Sequence, residues 1–163
     1  MKTKTAVYAG SFDPITLGHL NIAIRGASLV DKLIIAVGEN PKKKYMFDLA
    51  TRIQLIKESV VDAPNIEVTS FSGLLVDFCQ KNSVGIILRG LRAATDFDFE
   101  FQIGLANMDM APQIETMFLL AEPNNIFISS SLVKEIAFHG GNVQHYLPPP
   151  TWNALMKKVN MTE

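Results

Sequence analysis

The sequence predicts an α/β fold in which a five-stranded parallel sheet is covered by helices on both faces. Five short apolar segments recur along the chain, and several of them are apolar on both faces of a strand. Strands of that kind are buried on both sides, as they are in parallel sheets. Longer segments with apolar residues near helical spacing lie between them. This alternation predicts βαβ units with right-handed crossovers.

Each predicted strand is a short apolar run, and each predicted helix is a longer amphipathic segment. In chain order, the strands are residues 5–10 (TAVYAG), 32–38 (KLIIAVG), 66–70 (IEVTS), 84–90 (VGIILRG) and 115–121 (ETMFLLA). The helices are residues 18–30, 48–61, 73–82 and 98–110, a helix led by the serines at 129–131 and ended by Gly140 and Gly141, and a short helix from Thr151.

The segment FDFEF at 97–101 fits two kinds of structure. Its phenylalanines alternate with carboxylates at the period of a strand. However, Phe97, Phe101, Leu105 and Met108 continue a helical stripe, and no turn signal divides the segment. We therefore predict a helix here. The Met-rich stretch at 106–112 that ends it is of a kind more often found in a core than at an interface.

Composition limits the class of protein. The chain has 163 residues, of which 48% are hydrophobic, and this suits a single domain over residues 1–163. A formal charge of -1 gives no domain-wide field that would draw the protein onto nucleic acid or an anionic membrane. We expect neither as a partner.

Several features favour the cytoplasm. The lone Cys79 lies in an apolar segment and has no cysteine partner, which suits a reducing compartment. The apolar run near the N-terminus is interrupted by Gly10 and Asp13, too early for a signal peptide. No apolar run approaches the ~20 residues of a membrane span. We therefore expect a cytoplasmic protein.

Residues 8–19, YAGSFDPITLGH, join the first predicted strand to the first helix. Ligands of parallel α/β sheets bind where strands end in this way. Gly10 and Ser11 allow close approach to a phosphate, and Thr16 is placed to cap a helix whose first turn carries His19. Free N–H groups at that helix terminus favour an anion. The GxxxxGK[ST] and GxGxxG patterns are absent at this position, so the site belongs to another class.

Four motifs carry a resemblance to a known family. The TLGH at 16–19 and the ISSS at 128–131 resemble the two signatures of the nucleotidyltransferase superfamily. Together with KKKYMF at 42–47 and LRGLRAATDFDFE at 88–100, they occur in the order and spacing of the bacterial phosphopantetheine adenylyltransferases. The resemblance covers nearly the whole chain. The block at 88–100 is its most specific part, because relatives that make dinucleotides or cytidylylated alcohols lack it.

This resemblance implies a single-domain, Rossmann-like nucleotidyltransferase fold and a reaction. The adenylyl group of ATP would pass to 4′-phosphopantetheine, giving dephospho-coenzyme A and pyrophosphate, by direct in-line attack without a covalent enzyme intermediate. Mg²⁺ would arrive with ATP, and the protein would form a homohexamer. No metal ligand is expected from the chain. Asp96 and Glu100 share a helix face and are the carboxylate pair that could hold magnesium, but we place only Glu100 near the nucleotide.

The resemblance also implies residue roles at matching positions. His19 would be the catalytic residue, stabilising charge on the α-phosphate. ATP would be bound by Ser11, Phe12, His19, Gly90, Leu91, Arg92, Glu100, Asn125, Ile126, Phe127, Ile128, Ser129, Ser130 and Ser131. The acceptor would be bound by Ser11, Lys43, Leu75 and Arg89. His139 and His145 are expected at a helix end or in solvent.

Simpler roles remain open for some of these residues. One serine of the run suffices to cap a helix, Lys42 and Lys44 could belong to a solvated loop, and Leu75 could be plain core. The chain departs from the family pattern at three positions: Ser11 stands where threonine is usual, Tyr45 where proline is common, and Asn125 where an aromatic residue often sits. The last change removes a stacking partner for adenine but leaves the implied reaction the same.

Three other functions compete with this one. A related transferase could act on nicotinamide mononucleotide or a phosphorylated alcohol, but the block at 88–100 argues against it. A noncatalytic nucleotide sensor would have less use for His19, Lys43 and Arg92 near the α-phosphate. A flavodoxin-like electron carrier shares the general fold class and would be recognised by flavin absorbance.

Overall fold

The structure is a computed structural model that describes residues 4–92, 94–125 and 128–160. Within these ranges five parallel strands form one sheet in the order β3-β2-β1-β4-β5. The strands are β1 (Thr5–Gly10), β2 (Lys32–Glu39), β3 (Ile66–Ser72), β4 (Ile86–Leu91) and β5 (Glu115–Leu120). All five predicted strands are confirmed, with ends that move by one or two residues.

Six α-helices lie within the described residues: α1 (Leu17–Ala27), α2 (Leu49–Ser59), α3 (Leu75–Lys81), α4 (Ala94–Met110), α5 (Ser130–Phe138) and α6 (Pro149–Asn160). Short 3-10 helices occur at Pro123–Asn125 and Gln144–Tyr146. The helix predicted through FDFEF is confirmed, and it begins at Ala94 rather than at residue 98. No helix in the described ranges is long and apolar enough to cross a membrane.

Helices cover both faces of the sheet, as predicted. Successive residues of β1 point to opposite faces, so Ala6 and Val7 belong to different cores. Ala6 packs in a cluster with Ile22 of α1 and Leu55 of α2. Val7 packs in a second cluster that includes Cys79 of α3. The apolar character of the strands on both faces therefore follows from burial on both sides.

A third core occupies the last part of the chain. Val133 of α5 and Leu155 of α6 pack with Phe47 and Ile128. This cluster presses the loop before α2 against the segment that leads into α5. The last part of the chain is therefore packed, and it fixes the start of α5 beside the ends of the central strands.

The order of the strands in the sheet determines where the ligand-binding crevice lies. The chain runs outward from β1 through β2 to β3, then returns to pair β4 with the other side of β1. The crevice outside the carboxyl ends of β1 and β4 lies at this reversal of order, the position at which open α/β sheets bind ligands. It is bounded by the start of α1, which directly follows the loop at 11–16.

Candidate active site

A cavity of about 350 Å³ lies in this crevice. Its lining brings together most of the residues that the sequence predicted for nucleotide and phosphate binding: Ser11, Phe12, His19, Lys43, Arg89, Gly90, Arg92, Glu100, Asn125, Ile128, Ser129, Ser130 and Ser131. These residues come from the ends of β1 and β4, from the starts of α1 and α5, from the loop after β2, from α4 and from the 3-10 helix at Pro123–Asn125. The carboxyl edge of the sheet thus gathers segments that are far apart in sequence.

The remaining predicted residues lie elsewhere. Leu91 is buried and is not among the residues that line the cavity. Leu75 lines a neighbouring cavity. Ile126 and Phe127 lie outside the described residues. His139 ends α5 and His145 lies in a 3-10 helix, and both are exposed, as expected.

His19 is held by the cap of its own helix. The Thr16 backbone N–H donates to His19 Nδ1 over 3.1 Å, and the His19 N–H donates to Thr16 Oγ1 over 3.3 Å. Because Nδ1 accepts a backbone proton, the neutral ring must carry its own proton on Nε2. Burial of the ring, and then the charge of Arg92, lower the pKa of His19 to about 4. At neutral pH the ring is therefore an uncharged Nε2–H donor.

Two arginines at the end of β4 are held by carboxylates of α4. Arg89 donates to Glu100 through both Nε and Nη2, at 2.5 and 2.8 Å. Arg92 Nε lies 3.2 Å from Asp96, and Arg92 also contacts the Ile128 carbonyl at 3.4 Å. The bidentate pair fixes the plane of the Arg89 guanidinium. It also means that both carboxylates considered for magnesium already face a cation.

Among the described residues, no group of three or more histidine, cysteine, aspartate or glutamate side chains is arranged to hold a metal ion. With Asp96 and Glu100 each paired to an arginine, the residues present do not form a free carboxylate set of the kind that Mg²⁺ prefers.

Lys43 reaches the cavity from the loop after β2. Its ammonium lies 3.2 Å from the Ser11 hydroxyl, which joins that loop to the turn after β1. Lys42 and Lys44 are exposed and do not line the cavity, as the simpler solvated-loop interpretation holds. One cation of the three is therefore directed at the site.

The three serines at the start of α5 differ in what they do. Ser129 is the N-cap and accepts from the Leu132 N–H over 3.2 Å. Ser130 donates to the Pro14 carbonyl over 2.8 Å and so ties α5 to the turn after β1. Ser131 is exposed and lines the cavity. Capping accounts for one serine, and the N-termini of α1 and α5 both border the same cavity.

Asp13 and Lys134 also line the cavity and were not predicted. Asp13 is buried and accepts from the backbone N–H groups of Met46 and Phe47 and from Lys134 Nζ, each over 2.9 Å. Burial alone would raise the pKa of Asp13, but these three donors outweigh it and hold the pKa below its ordinary value. A sequence signal existed for Lys134, because it follows Ser130 by four residues and so shares its helix face.

Tyr8 of β1 is a further unpredicted lining residue. Burial raises the pKa of its hydroxyl, so the phenol stays protonated. Its ring packs edge-on against Phe12, which in turn packs edge-on against His19. The sequence offered no sign of this, because Tyr8 sits within a run that reads as core.

A second cavity of about 420 Å³ adjoins the first. Both cavities are lined by Ser11, Lys43 and Arg89, and the second continues along Leu75 and Asn107. The Asn107 side-chain nitrogen is buried and has no hydrogen-bond partner among the described residues. The two cavities together form a groove with a cationic centre and a more apolar far end.

Comparisons with known proteins agree with this site. A family model described as cytidylyltransferase-like matches residues 7–136. The phosphopantetheine adenylyltransferase of Caldanaerobacter subterraneus subsp. tengcongensis is 47% identical over 155 residues, which cover 95% of this chain and 97% of that protein. The chain belongs to the phosphopantetheine adenylyltransferase family. The resemblance inferred from the four sequence motifs is therefore confirmed.

A solved structure supports the fold of this phosphopantetheine adenylyltransferase family member. It is a protein from Vibrio parahaemolyticus assigned as a nicotinate-nucleotide adenylyltransferase, with a TM-score of 0.69 over 94% of this chain and 99% of that chain. At 17% identity this likeness concerns the fold alone, and it confirms the Rossmann-like nucleotidyltransferase fold. Family membership makes the protein an enzyme and removes the electron-carrier alternative.

Proposed function

We propose that the protein transfers the adenylyl group of ATP to 4′-phosphopantetheine, giving dephospho-coenzyme A and pyrophosphate. The observation that carries this proposal is the shared boundary of the two cavities at Ser11, Lys43 and Arg89. A polyphosphate on one side and a phosphorylated acceptor on the other would bring both reacting phosphates to the same cations. Holding the reactants in this way supplies much of the catalysis in such reactions.

In this proposal the triphosphate of ATP lies in the first cavity, between the N-termini of α1 and α5. Backbone N–H groups and the positive ends of both helix dipoles would face it. Ser131 and Arg92 add donors from two sides of the cavity. The adenosine would extend toward Asn125 and Ile128, which both line the cavity, and Asn125 offers an amide in place of an aromatic ring.

The acceptor phosphate would bind at Lys43, Ser11 and Arg89, and its pantetheine arm would follow the second cavity. Leu75 offers apolar contact there. The arm contains amide carbonyls, and the unpaired Asn107 side-chain nitrogen is a donor suited to one of them. A buried donor without a partner costs free energy, so a bound carbonyl would relieve that cost.

The chemistry requires no strong base, because the acceptor phosphate is already an anion at neutral pH. An oxygen of that phosphate would attack the α-phosphorus of ATP in line, as the bond to the bridging oxygen of the pyrophosphate breaks. No covalent enzyme intermediate is needed. The neutral His19 Nε2–H would donate to the α-phosphate as charge builds on it, with the α1 N-terminus beside it. Mg²⁺ bound to ATP would neutralise phosphate charge.

We also propose a homohexamer in the cytoplasm. A set of large apolar side chains on α4 and at the end of β5 is exposed: Phe97, Phe99, Phe101, Leu105, Met108, Met110 and Leu120. Because Met108 and Met110 are about half exposed, the expectation that the Met-rich stretch is core is wrong for these two residues. An apolar surface of this extent supports self-association. The free, buried Cys79 suits a reducing compartment.

Pyrophosphate release from Mg–ATP tests the function, with 4′-phosphopantetheine compared against nicotinamide mononucleotide and glycerol 3-phosphate. We expect pyrophosphate release with 4′-phosphopantetheine and with neither of the other two acceptors. The His19→Ala variant should lose about 10²-fold or more in kcat, since a donor aimed at transition-state charge is removed. Release with nicotinamide mononucleotide would indicate the related transferase instead. Binding of ATP with no release from any of the three acceptors would overturn the proposed reaction.

A further inference from the structure

Arg52 of α2 is a charged residue whose side chain is buried rather than exposed to solvent. Its side chain donates to the carbonyls of Ser11 at 2.7 Å, Gly38 at 3.1 Å and Phe47 at 3.2 Å. No carboxylate of the described residues forms an ion pair with it, although Asp48 lies one helical turn earlier at the exposed N-cap. A buried cation is normally paired, so the carbonyls here stabilise it instead.

Tyr45 covers the same guanidinium from the other side. Its ring centroid lies 3.9 Å from the Arg52 guanidinium carbon. Its hydroxyl accepts from the Asn40 N–H over 3.1 Å, which closes the turn that carries Lys43. The Lys43 ammonium lies 5.7 Å from the same ring. Tyr45 therefore contacts both the buried cation and the one that reaches the site.

We propose that Arg52 and Tyr45 form a clamp that positions Lys43 and Ser11 for the phosphate of the acceptor substrate. Arg52 lines neither cavity, so it acts through the Ser11 backbone and through Tyr45, which itself borders the second cavity. The proposal rests on the acceptor site assigned above. It makes these two residues determinants of affinity for the phosphorylated acceptor more than for ATP, because Ser11 and Lys43 border both cavities.

The physical reason is the location of Lys43 in an exposed loop. Residues 40–44 are exposed on both sides of this lysine, and a free lysine side chain loses considerable rotamer freedom when it binds a ligand. The loop is held at Asn40, Tyr45 and Phe47. Less conformational freedom is therefore left to be lost when the acceptor binds. Holding the Ser11 carbonyl fixes the direction of the Ser11 hydroxyl, which lies 3.2 Å from Lys43 Nζ.

The clamp uses both parts of the Tyr45 side chain. Its ring face lies over the Arg52 guanidinium, and its hydroxyl accepts from the Asn40 N–H. A cation over a tyrosine ring is stabilised electrostatically, more so when it is desolvated as Arg52 is. The tyrosine thus holds the buried cation and the loop through one side chain.

Steady-state kinetics of four clamp variants test the proposal, each with its melting temperature. Tyr45→Leu removes the ring face and the hydroxyl, whereas Tyr45→Phe removes the hydroxyl alone. Arg52→Gln removes the charge, and Arg52→Lys keeps it without the planar fork. Lys57→Gln is the matched control, because it removes an exposed charge from the same helix.

We expect Tyr45→Leu and Arg52→Gln to raise the KM for 4′-phosphopantetheine about ten-fold, with the KM for ATP changed less than about two-fold. Tyr45→Phe and Arg52→Lys should lie between these variants and the wild type. A structural role alone would not separate the two substrates. If the Arg52 variants do not fold, Tyr45→Phe decides the matter, because it keeps the ring that borders the second cavity and removes only the hydroxyl that holds the loop.

Lys43→Ala separates failure of the clamp from failure of the acceptor site. If Lys43→Ala raises the KM for the acceptor while the folded clamp variants leave it unchanged, or shift both substrates equally, the clamp is overturned and the site stands. If Lys43→Ala also leaves the acceptor KM unchanged, the assigned acceptor site is wrong, and the clamp is overturned with it.

Discussion

His19 shows how a single backbone hydrogen bond determines the chemistry of a side chain. The Thr16 N–H occupies Nδ1, so the proton of the neutral ring is placed on Nε2. A histidine with an ordinary pKa of 6.5 would be partly charged at pH 6 to 7, but burial disfavours the imidazolium and lowers the pKa to about 4. The ring thus works as a neutral hydrogen-bond donor rather than as an acid.

We predict that His19 of the free enzyme stays neutral from pH 5.5 to 8 and titrates near pH 4. Nitrogen-15 NMR of a His139→Gln, His145→Gln double variant would follow His19 alone, since the chain has three histidines. In that range the signals should be those of the Nε2–H form, and kcat/KM should show no inflection from this residue. A midpoint near 6.5, or an Nδ1–H signature, would contradict the assigned role.

At the scale of an element, α1 depends on close contact with the sheet. Gly26, in its last turn, lies so near the buried Leu88 of β4 that an added Cβ would clash with the leucine methyl group. Leu88 precedes Arg89, and α1 carries His19 in its first turn. The approach of α1 to β4 therefore helps to set the width of the crevice.

Gly26→Ala should destabilise the protein by about 1–3 kcal/mol, because overpacking a buried contact outweighs the gain in helix propensity of about 1 kcal/mol. Chemical denaturation measures the change. Gly85→Ala is the matched control, since a Cβ there would meet nothing within 4 Å. If the two variants are equally stable, α1 can move away from β4 at no cost in the free energy of unfolding. The contact at Gly26 would then not help to set the width of the crevice.

Helices and strands could be predicted where the sequence pattern that specifies them is local. The strands could be identified because they are buried on both faces, and α4 because its apolar stripe outlasts the short alternation at FDFEF. The burial of Arg52 could not be predicted, because in the sequence of α2 it looks like one more charged residue, as Lys57 and Glu58 do. Its burial depends on the Ser11 carbonyl, 41 positions away. Asp13 likewise depends on Lys134, 121 positions away.

Across the whole molecule, the site is made by contacts that join distant segments. The strand order sets the ends of β1 and β4 side by side, and the third core presses α5 against the same edge. Asp13 then connects three segments, since it accepts from the loop before α2 and from α5. The sequence motifs predicted most of the residues that line the cavity. The contacts that join the loop, the turn and the helix arise only from tertiary packing.

The exposed stripe of α4, formed by Phe97, Phe101, Leu105 and Met108, leads to a prediction about assembly. Burying one such side chain stabilises an interface by about 1.5–3 kcal/mol, and a carboxylate in its place would be buried without a partner. Sedimentation velocity at micromolar concentration should therefore give a hexamer for the wild type and smaller species for Leu105→Glu and Met108→Glu. Val61→Glu, at a position 77% exposed after α2, is the control and should remain hexameric. A monomeric wild type, or variants that sediment like it, would place the assembly surface elsewhere or remove it.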